Sequence, residues 1–128
     1  MGFQDDYVMR MIRDMVRALG SIILGRHVTE YQLPEEADFT DTDFLYRDLT
    51  GMADRGEINQ AENILLTEMK PGDKKYLEMA IGFYQYINQF SDDFLLEHQY
   101  SRQEILEGLQ ALAEDNGIQG LDALSVDI

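Results

Sequence analysis

The feature that most restricts the fold is a short run, Gly56-Glu57-Ile58-Asn59-Gln60-Ala61, set between two segments whose apolar residues recur at helical spacing. The stripe before the turn consists of Phe44, Leu45, Leu49 and Met52, and the stripe after it of Ile58, Ala61, Ile64, Leu65 and Met69. Glycine can adopt the left-handed backbone that ends a helix, and the small Ala61 permits close approach of a neighbouring helix. The pattern therefore predicts an elbow between two antiparallel helices.

Helical spacing and capping signals recur along the rest of the chain. Tyr7 to Leu24 forms one helical segment, and residues 76–90 are apolar around most of a helix, which predicts a central position in a bundle. Predicted helix starts lie at Thr40-Asp41-Thr42-Asp43, Asp73, Ser91 and the capping box of Ser101 and Glu104. We expect one all-α domain over residues 1–128, an antiparallel bundle of five or six helices.

Two segments lack helical periodicity. Residues 26–40 contain Pro34 and several acids and are predicted to form a surface loop. Residues 118–128 are a tail that either folds back onto the body or frays, and the sequence leaves both open.

Charge narrows the classes of partner. The 128 residues carry a formal net charge of −15, which repels nucleic acids and anionic membranes, so no nucleic-acid partner is expected. There is no cysteine and no uncharged apolar stretch of membrane-spanning length. We therefore expect a cytoplasmic protein that does not span a membrane.

The first helix has an unusually wide apolar face. Val8, Met11, Ile12, Met15 and Leu19 form the candidate interaction face, and the opposite side carries a candidate basic strip of Arg10, Arg13 and Arg17. Such a face indicates a helix held by more than one neighbour, a subunit interface, or a helix lying on a membrane surface with its arginines at the headgroups. Residues 1–26 have a net charge of +1 while the rest of the chain has −16. We expect packing in the core or at a dimer interface, with the strip facing acidic groups.

The elbow resembles the hairpin of a tetratricopeptide repeat. Gly56, Ile58 and Ala61 match the opening of that repeat's second helix, and Leu65 falls on a large apolar position. The resemblance covers about residues 42–88, with departures at Leu49, Glu68 and Asp92. It implies a tetratricopeptide-like helical hairpin, and not the peptide-binding groove, which needs about three stacked units.

A second resemblance lies at the start of the chain. The run Asp6-Tyr7-Val8-Met9-Arg10-Met11-Ile12, followed by Met15-Val16-Arg17-Ala18-Leu19 and Gly25, is similar to the opening of a bacterial family of short acidic proteins of uncharacterised function. This resemblance implies no activity and no site residues.

Motifs that carry chemistry are scarce. Neither His27 nor His98 belongs to a metal-binding helical pattern, and no phosphate-binding loop or nucleophile elbow occurs. Asp38, Asp41 and Asp43 lack the spacing and the glycine of a calcium loop, so we interpret them as helix-capping residues. We predict no catalytic, cofactor-binding or metal-binding residues and no cofactor.

These observations favour a non-catalytic protein, either a protein–protein interaction module or a small oligomeric scaffold, whose partner is another protein or a second copy in a homodimer. One alternative is peripheral membrane association through residues 7–24, which the acidic remainder disfavours. The other is a small-ligand binder or an enzyme with a pocket lined by Tyr84 and Tyr86.

Overall fold

The computed structural model describes residues 3–25 and 31–118, and in these ranges the chain is helical with no β-strand. The six α-helices are α1 (Phe3–Leu19), α2 (Asp41–Asp54), α3 (Ile58–Thr67), α4 (Lys74–Ile87), α5 (Asp92–Glu97) and α6 (Arg102–Asp115). A π-helical turn, Gly20–Leu24, extends α1, and a short 3₁₀ helix, Glu36–Asp38, precedes α2. The predicted all-α fold with five or six helices is confirmed.

Four of the predicted helix starts are formed by the expected side chains. The Thr40 hydroxyl accepts a hydrogen bond from the Asp43 backbone N–H at 3.3 Å, and the Asp43 carboxylate accepts one from the Thr40 N–H at 2.9 Å. Asp73, Ser91 and Ser101 each accept a backbone N–H three residues later. These side chains satisfy donors that a helix leaves unpaired at its first turn, which is why the sequence located α2, α4, α5 and α6 correctly.

Helix α4 lies at the centre of the bundle, in contact with α1, α2 and α6. Its buried residues lie around most of the helix circumference, as expected for a helix that is apolar on nearly all sides: Tyr76, Leu77, Met79, Ala80, Ile81, Gly82, Phe83, Tyr84, Gln85 and Ile87. The predicted core position of this segment is confirmed.

The elbow has the expected local structure. Gly56 has a φ of +86°, in the left-handed region, and the N–H of Glu57 returns to the Met52 carbonyl at 2.9 Å. Ala61 is fully buried where α2 and α3 pack on each other. A Cβ atom at Gly56 would lie 2.3 Å from the His98 ring, so this position needs glycine both for its backbone and for the close approach of α5. The likeness of residues 42–88 to a tetratricopeptide hairpin stays a resemblance.

The segment between α1 and α2 is not wholly at the surface. Tyr31 is only 5% exposed, its Cβ contacts the position of Gly82 in α4, and its ring packs 4.7 Å from that of Tyr46. Its hydroxyl donates to the Asp43 carboxylate at 2.5 Å. Part of the segment expected to be a surface loop, residues 26–40, is therefore packed into the core. The reason is that Gly82 has no side chain and leaves room for Tyr31. Residues 26–30 and 119–128, which include most of the predicted tail, lie outside the described residues.

Arg102, at the first position of α6, binds the end of the central helix. Its guanidinium donates to the carbonyl oxygens of Asn88 at 2.6 Å and Phe90 at 2.5 Å, and to the Asp92 carboxylate at 2.9 Å. The Asn88 side-chain amide in turn donates to the Met9 carbonyl of α1 at 3.3 Å. One arginine, 7% exposed, thus connects α6 to α4, α5 and, through Asn88, α1.

Substitution of Gly82 by alanine tests the packing of Tyr31. A Cβ at Gly82 would lie 2.6 Å from the Tyr31 Cβ, so we expect the Gly82→Ala variant to lose about 1–3 kcal/mol of unfolding free energy through overpacking. The control is Gly51→Ala in α2, where the nearest atom is 3.7 Å away and alanine should stabilise the helix by about 0.5–1 kcal/mol. Urea unfolding measures both, and equal effects would contradict the packing described.

Removal of the Arg102 guanidinium tests the connection at the end of α4. The Arg102→Met variant keeps a flexible side chain but leaves two carbonyls and Asp92 without their donor, so we expect a loss of about 3–5 kcal/mol. The matched control, Arg55→Met, removes an exposed pair with Glu57 and should change stability by less than about 1 kcal/mol. Chemical denaturation of the two variants distinguishes these results, and a small effect at Arg102 would refute its role.

Candidate functional site

The structure separates the two sets of residues predicted on α1. Ile12, Met15 and Leu19 are buried against the chain's own α4 and α6, while Val8 and Met11 are partly buried. The wide apolar face therefore has two neighbours within one molecule, the first of the three arrangements that its width indicated. Three of the five candidate interaction residues are not accessible to a partner in this conformation.

The basic strip, by contrast, faces solvent. Arg10, Arg13 and Arg17 are all exposed, and the ion pair found for the strip joins Arg17 to Asp14 of the same helix at 3.9 Å. No arginine of the strip pairs with an acidic residue of α2 to α6 within the described ranges. Within the described ranges, the strip therefore presents three exposed arginines that no acidic side chain of α2 to α6 neutralises.

Membrane association through α1 would require the apolar side chains of that helix to be exposed, and in this structure they form part of the core. Across the described parts of the chain, no helix combines the length and apolar character needed to span a membrane.

A second exposed feature lies where α5 meets α6. A depression of about 230 Å³ is lined by Asp92, Asp93, Leu95, Leu96, Tyr100, Ser101 and Arg102. Leu96 is 76% exposed, a high value for a leucine, and Asp93 is exposed beside it. Arg102 is already paired with Asp92 and hydrogen-bonded to the carbonyls of Asn88 and Phe90, so the remaining unpaired charge here, on Asp93, is negative. We name this surface the α5–α6 corner.

Sequence reasoning did not identify the α5–α6 corner. The signal was present in Phe94-Leu95-Leu96, three consecutive apolar residues in a helix of six. Successive side chains on a helix point about 100° apart, so a short helix packed on one side cannot bury all three. Phe94 and Leu95 pack against the core and Leu96 remains outside.

Tyr84 and Tyr86, the residues of the predicted ligand pocket, have structural partners. Tyr84 is fully buried and its hydroxyl donates to Glu62 at 2.7 Å; the Tyr86 hydroxyl donates to Asp54 at 2.8 Å. Burial, followed by the hydrogen bond to Asp54, raises the pKa of Tyr86 to about 12. Neither tyrosine lines the α5–α6 corner or the elbow depression described below.

Glu62 is a partly buried carboxylate between two tyrosines. Besides Tyr84, it faces the hydroxyl of Tyr100, which is buried and makes no hydrogen bond of normal geometry. Burial raises the pKa of Glu62, the two hydroxyl groups act in the opposite direction, and the charge of Glu104 raises it further. Gly108 of α6 makes room for this cluster, since a Cβ there would lie 2.6 Å from the Tyr84 hydroxyl.

Asp43 is the contrasting case, because its pKa is lowered although it is almost completely buried. Burial alone would raise the pKa, but hydrogen bonds from Thr40 and Tyr31, together with the positive charge of Lys75 at 3.6 Å, outweigh it. The carboxylate is fully partnered and joins the 31–40 segment to α2 and α4, so we assign it a structural role.

His98 lies in a polar depression of about 420 Å³ at the elbow, with Gly56, Asn59, Gln60, Glu97 and Gln99. The Asn59 side chain donates to the Gln99 carbonyl at 3.2 Å, which holds Gln99 at a φ of +63°. Within residues 3–25 and 31–118, no three histidine or acidic side chains lie close enough together to hold a metal ion. His27 lies outside the described residues.

The fold and these surfaces define a small helical-bundle protein with an exposed basic strip, an acidic corner and a partly buried carboxylate. The chain belongs to a family of unknown function (DUF6483), whose model matches residues 2–117. The expectation of an uncharacterised family, made from the first residues of the chain, is confirmed. No match to the chain was found among curated proteins or among solved structures.

Replacement of Glu62 by glutamine tests the burial of this carboxylate. A raised folded-state pKa means that Glu62 contributes stability below its unfolded pKa, and that this stability is lost as the pH rises through the folded pKa. Glu62→Gln does not titrate, so its stability relative to the parent should increase as the pH rises from about 4 to about 7. Urea unfolding across that range, with the exposed Glu107→Gln as control, measures this; a difference that does not change with pH would contradict it.

Proposed function

We propose that this protein is a non-catalytic oligomeric scaffold in which the basic strip of α1 binds the α5–α6 corner of a second copy. The observation that carries the proposal is the exposure of Arg10, Arg13 and Arg17 without acidic partners from α2 to α6 in the described structure. Opposite charge on the second copy would neutralise them, and the corner presents Asp93 beside the exposed Leu96.

Charge supports an acidic partner surface for the strip. Each copy has a net charge of −15, so two copies repel each other unless a local contact reverses the sign of the interaction. The three arginines and three aspartates of α1 cancel, whereas the chain as a whole carries −15, so α1 is the helix that repels the acidic surface of another copy least. Charge of this kind favours orientation and rate of encounter more than raw affinity.

The apolar part of the contact would come from Leu96 and the floor of the corner. Leu95 and the Tyr100 ring line a depression of about 230 Å³, large enough to receive one or two side chains. The partly exposed Tyr7 and Met11 lie on the same helix as the strip and could enter it. In a two-fold arrangement this contact forms twice, which doubles the buried surface.

The cellular location and the type of source organism are also part of this proposal. A cytoplasmic location rests on the lack of cysteine, and a bacterial source rests on the similarity of the first residues to a bacterial family. The membrane alternative is disfavoured because the apolar side chains of α1 that it requires are part of the core, and the ligand-pocket alternative because the Tyr84 and Tyr86 hydroxyls have partners within the chain.

Charge reversal on α1 tests the proposal. Sedimentation equilibrium should show a concentration-dependent dimer that weakens with added salt, because the Debye length falls from about 10 Å at 0.1 M to about 3 Å at 1 M. The triple variant Arg10→Glu, Arg13→Glu, Arg17→Glu should weaken self-association at least about tenfold. Leu96→Asp should do the same, and its 76% exposure means that the fold should tolerate it.

Matched controls separate a specific contact from net charge. Arg55→Glu, Lys70→Glu, Lys74→Glu changes the net charge by the same amount at exposed positions outside α1 and should leave dimerisation nearly unchanged. Leu66→Asp on α3 is the control for Leu96. A protein that is monomeric at every concentration, or a control triple that matches the α1 triple, would overturn the proposal.

A further inference from the structure

The end of α6 contains the one asparagine of the sequence that is followed by a glycine. Asn116 is the C-cap of α6 and Gly117 comes next, whereas the other three asparagines precede glutamine or isoleucine. Glycine after asparagine favours loss of the side-chain amide, because no Cβ hinders the approach of the glycine nitrogen to the asparagine side chain. Gly117 is exposed, and no atom beyond its chain neighbours lies within 4 Å of the place a Cβ would occupy. Hydroxide and water can therefore reach this peptide bond.

The reaction of such a pair is an intramolecular substitution that needs only water and hydroxide. Hydroxide removes the proton from the Gly117 backbone nitrogen, which attacks Cγ of Asn116. The bond from Cγ to this nitrogen forms, the bond from Cγ to Nδ2 breaks, and Nδ2 takes a proton from water and leaves as ammonia. Water then opens the succinimide ring. Cleavage at Cγ gives aspartate, and cleavage at the main-chain carbonyl carbon of position 116 gives isoaspartate.

In the structure, hydrogen bonds to α6 hold both reacting groups. The Asn116 side-chain amide donates to the Leu112 carbonyl at 2.8 Å, and the Gly117 N–H donates to the Glu114 carbonyl at 3.0 Å. A hydrogen-bonded N–H loses its proton to hydroxide only after the bond has opened. The last turn of α6 must therefore open before Asn116 reacts.

Ile118 opposes that opening. Gly117, at a φ of +79°, turns the chain back at the end of the helix. The Ile118 N–H then donates to the Ala113 carbonyl at 2.9 Å, and the Ile118 side chain packs against the core. Helix ends fray at small cost unless a contact of this kind holds them. The packing of Ile118 thus determines how often the reacting groups become free.

The product destabilises the turn that protected the asparagine. A carboxylate at position 116 has no N–H to donate to the Leu112 carbonyl, and it adds negative charge at the negative end of α6, next to Glu114 and Asp115. Isoaspartate also adds a carbon atom to the main chain, so that the Gly117 and Ile118 N–H groups no longer match their acceptors. Opening and reaction therefore reinforce each other, and the change runs in one direction.

We infer that Asn116 is a site of non-enzymatic deamidation, and that the last turn of α6, closed by Ile118, controls its rate. A molecule that has reacted carries one more negative charge and an opened end of α6. The site uses none of the residues assigned to the contact between copies, so it stands or falls independently of the oligomeric scaffold.

Peptide mapping of the intact protein after incubation at mildly alkaline pH tests the site. Mass spectrometry with electron-transfer fragmentation distinguishes aspartate from isoaspartate at each position. We expect both products at position 116, at a rate that rises in proportion to hydroxide concentration. The exposed Asn59 and Asn63, which precede bulkier residues, should keep their amides over the same time. The absence of product at Asn116, or equal modification of Asn63, would overturn the assignment.

A synthetic peptide of residues 110–118 tests the control by α6. A chain this short forms no stable helix, so its asparagine should deamidate at least about tenfold faster than Asn116 of the folded protein. In the protein, Ile118→Ala should speed deamidation at least about threefold, because it removes the apolar contact that closes the turn. In the peptide the same substitution should change little. Ile64→Ala on α3 removes the same atoms from a side chain that is 38% exposed, and is the control for a general loss of stability.

Hydrogen exchange at the Gly117 N–H measures the opening directly. Its exchange rate should rise in Ile118→Ala by the same factor as the deamidation rate, and it should also rise in Asn116→Asp. If Ile118→Ala does not fold, urea below the unfolding transition opens the turn in the parent and should raise both rates together. The inference is overturned if protein and peptide deamidate at the same rate, or if Ile64→Ala speeds deamidation as much as Ile118→Ala.

Discussion

The guanidinium of Arg102 at the end of α4 is the interaction on which the arrangement of the bundle depends. The last carbonyl groups of a helix have no partner within it and carry partial negative charge. Here the carbonyls of Asn88, the C-cap of α4, and of Phe90, two residues later, accept hydrogen bonds from one buried arginine on α6, and Asp92 of α5 balances its charge. Asn88, held by the same arginine, reaches Met9 of α1. Four helices thus take their relative positions at one place, around the helix that forms the core.

This packing of the helices determines which side chains stay exposed and can contact another molecule. With the apolar side of α1 covered by α4 and α6, the helix presents its arginines, and with α5 held by Asp92, Leu96 points outward. The described part of the chain therefore presents the basic strip on α1 and, at the α5–α6 corner, a surface that is both acidic and apolar. Glu62 is a third and separate feature, a carboxylate whose burial has a stabilising partner in Tyr84 but no counter-charge among the described residues.

Local signals predicted the helices well because a cap or a turn depends on residues a few positions apart. Thr40 with Asp43, Asp73 with the Tyr76 N–H, and Gly56 at its positive φ each act within one turn of chain. Groups that act across the bundle were missed. Tyr31 falls in the predicted surface loop because its partner Gly82 is far away in sequence. Arg102 was not singled out, because its acceptors include backbone carbonyls, which no side-chain pattern reveals.

By itself, the sequence determined that this protein is all-α, where most helices begin and end, which helix is central, and that α1 carries apolar and basic sides, since these follow from periodicity and short-range hydrogen bonds. Only the tertiary structure decided that the apolar side of α1 is covered within one molecule, that Leu96 is exposed, and that Glu62 faces two tyrosines. Those outcomes depend on which helix packs against which, and the free energy of such packing is shared among residues distant in sequence. Periodicity gives a helix its apolar face, but the neighbours that the fold supplies determine what covers it.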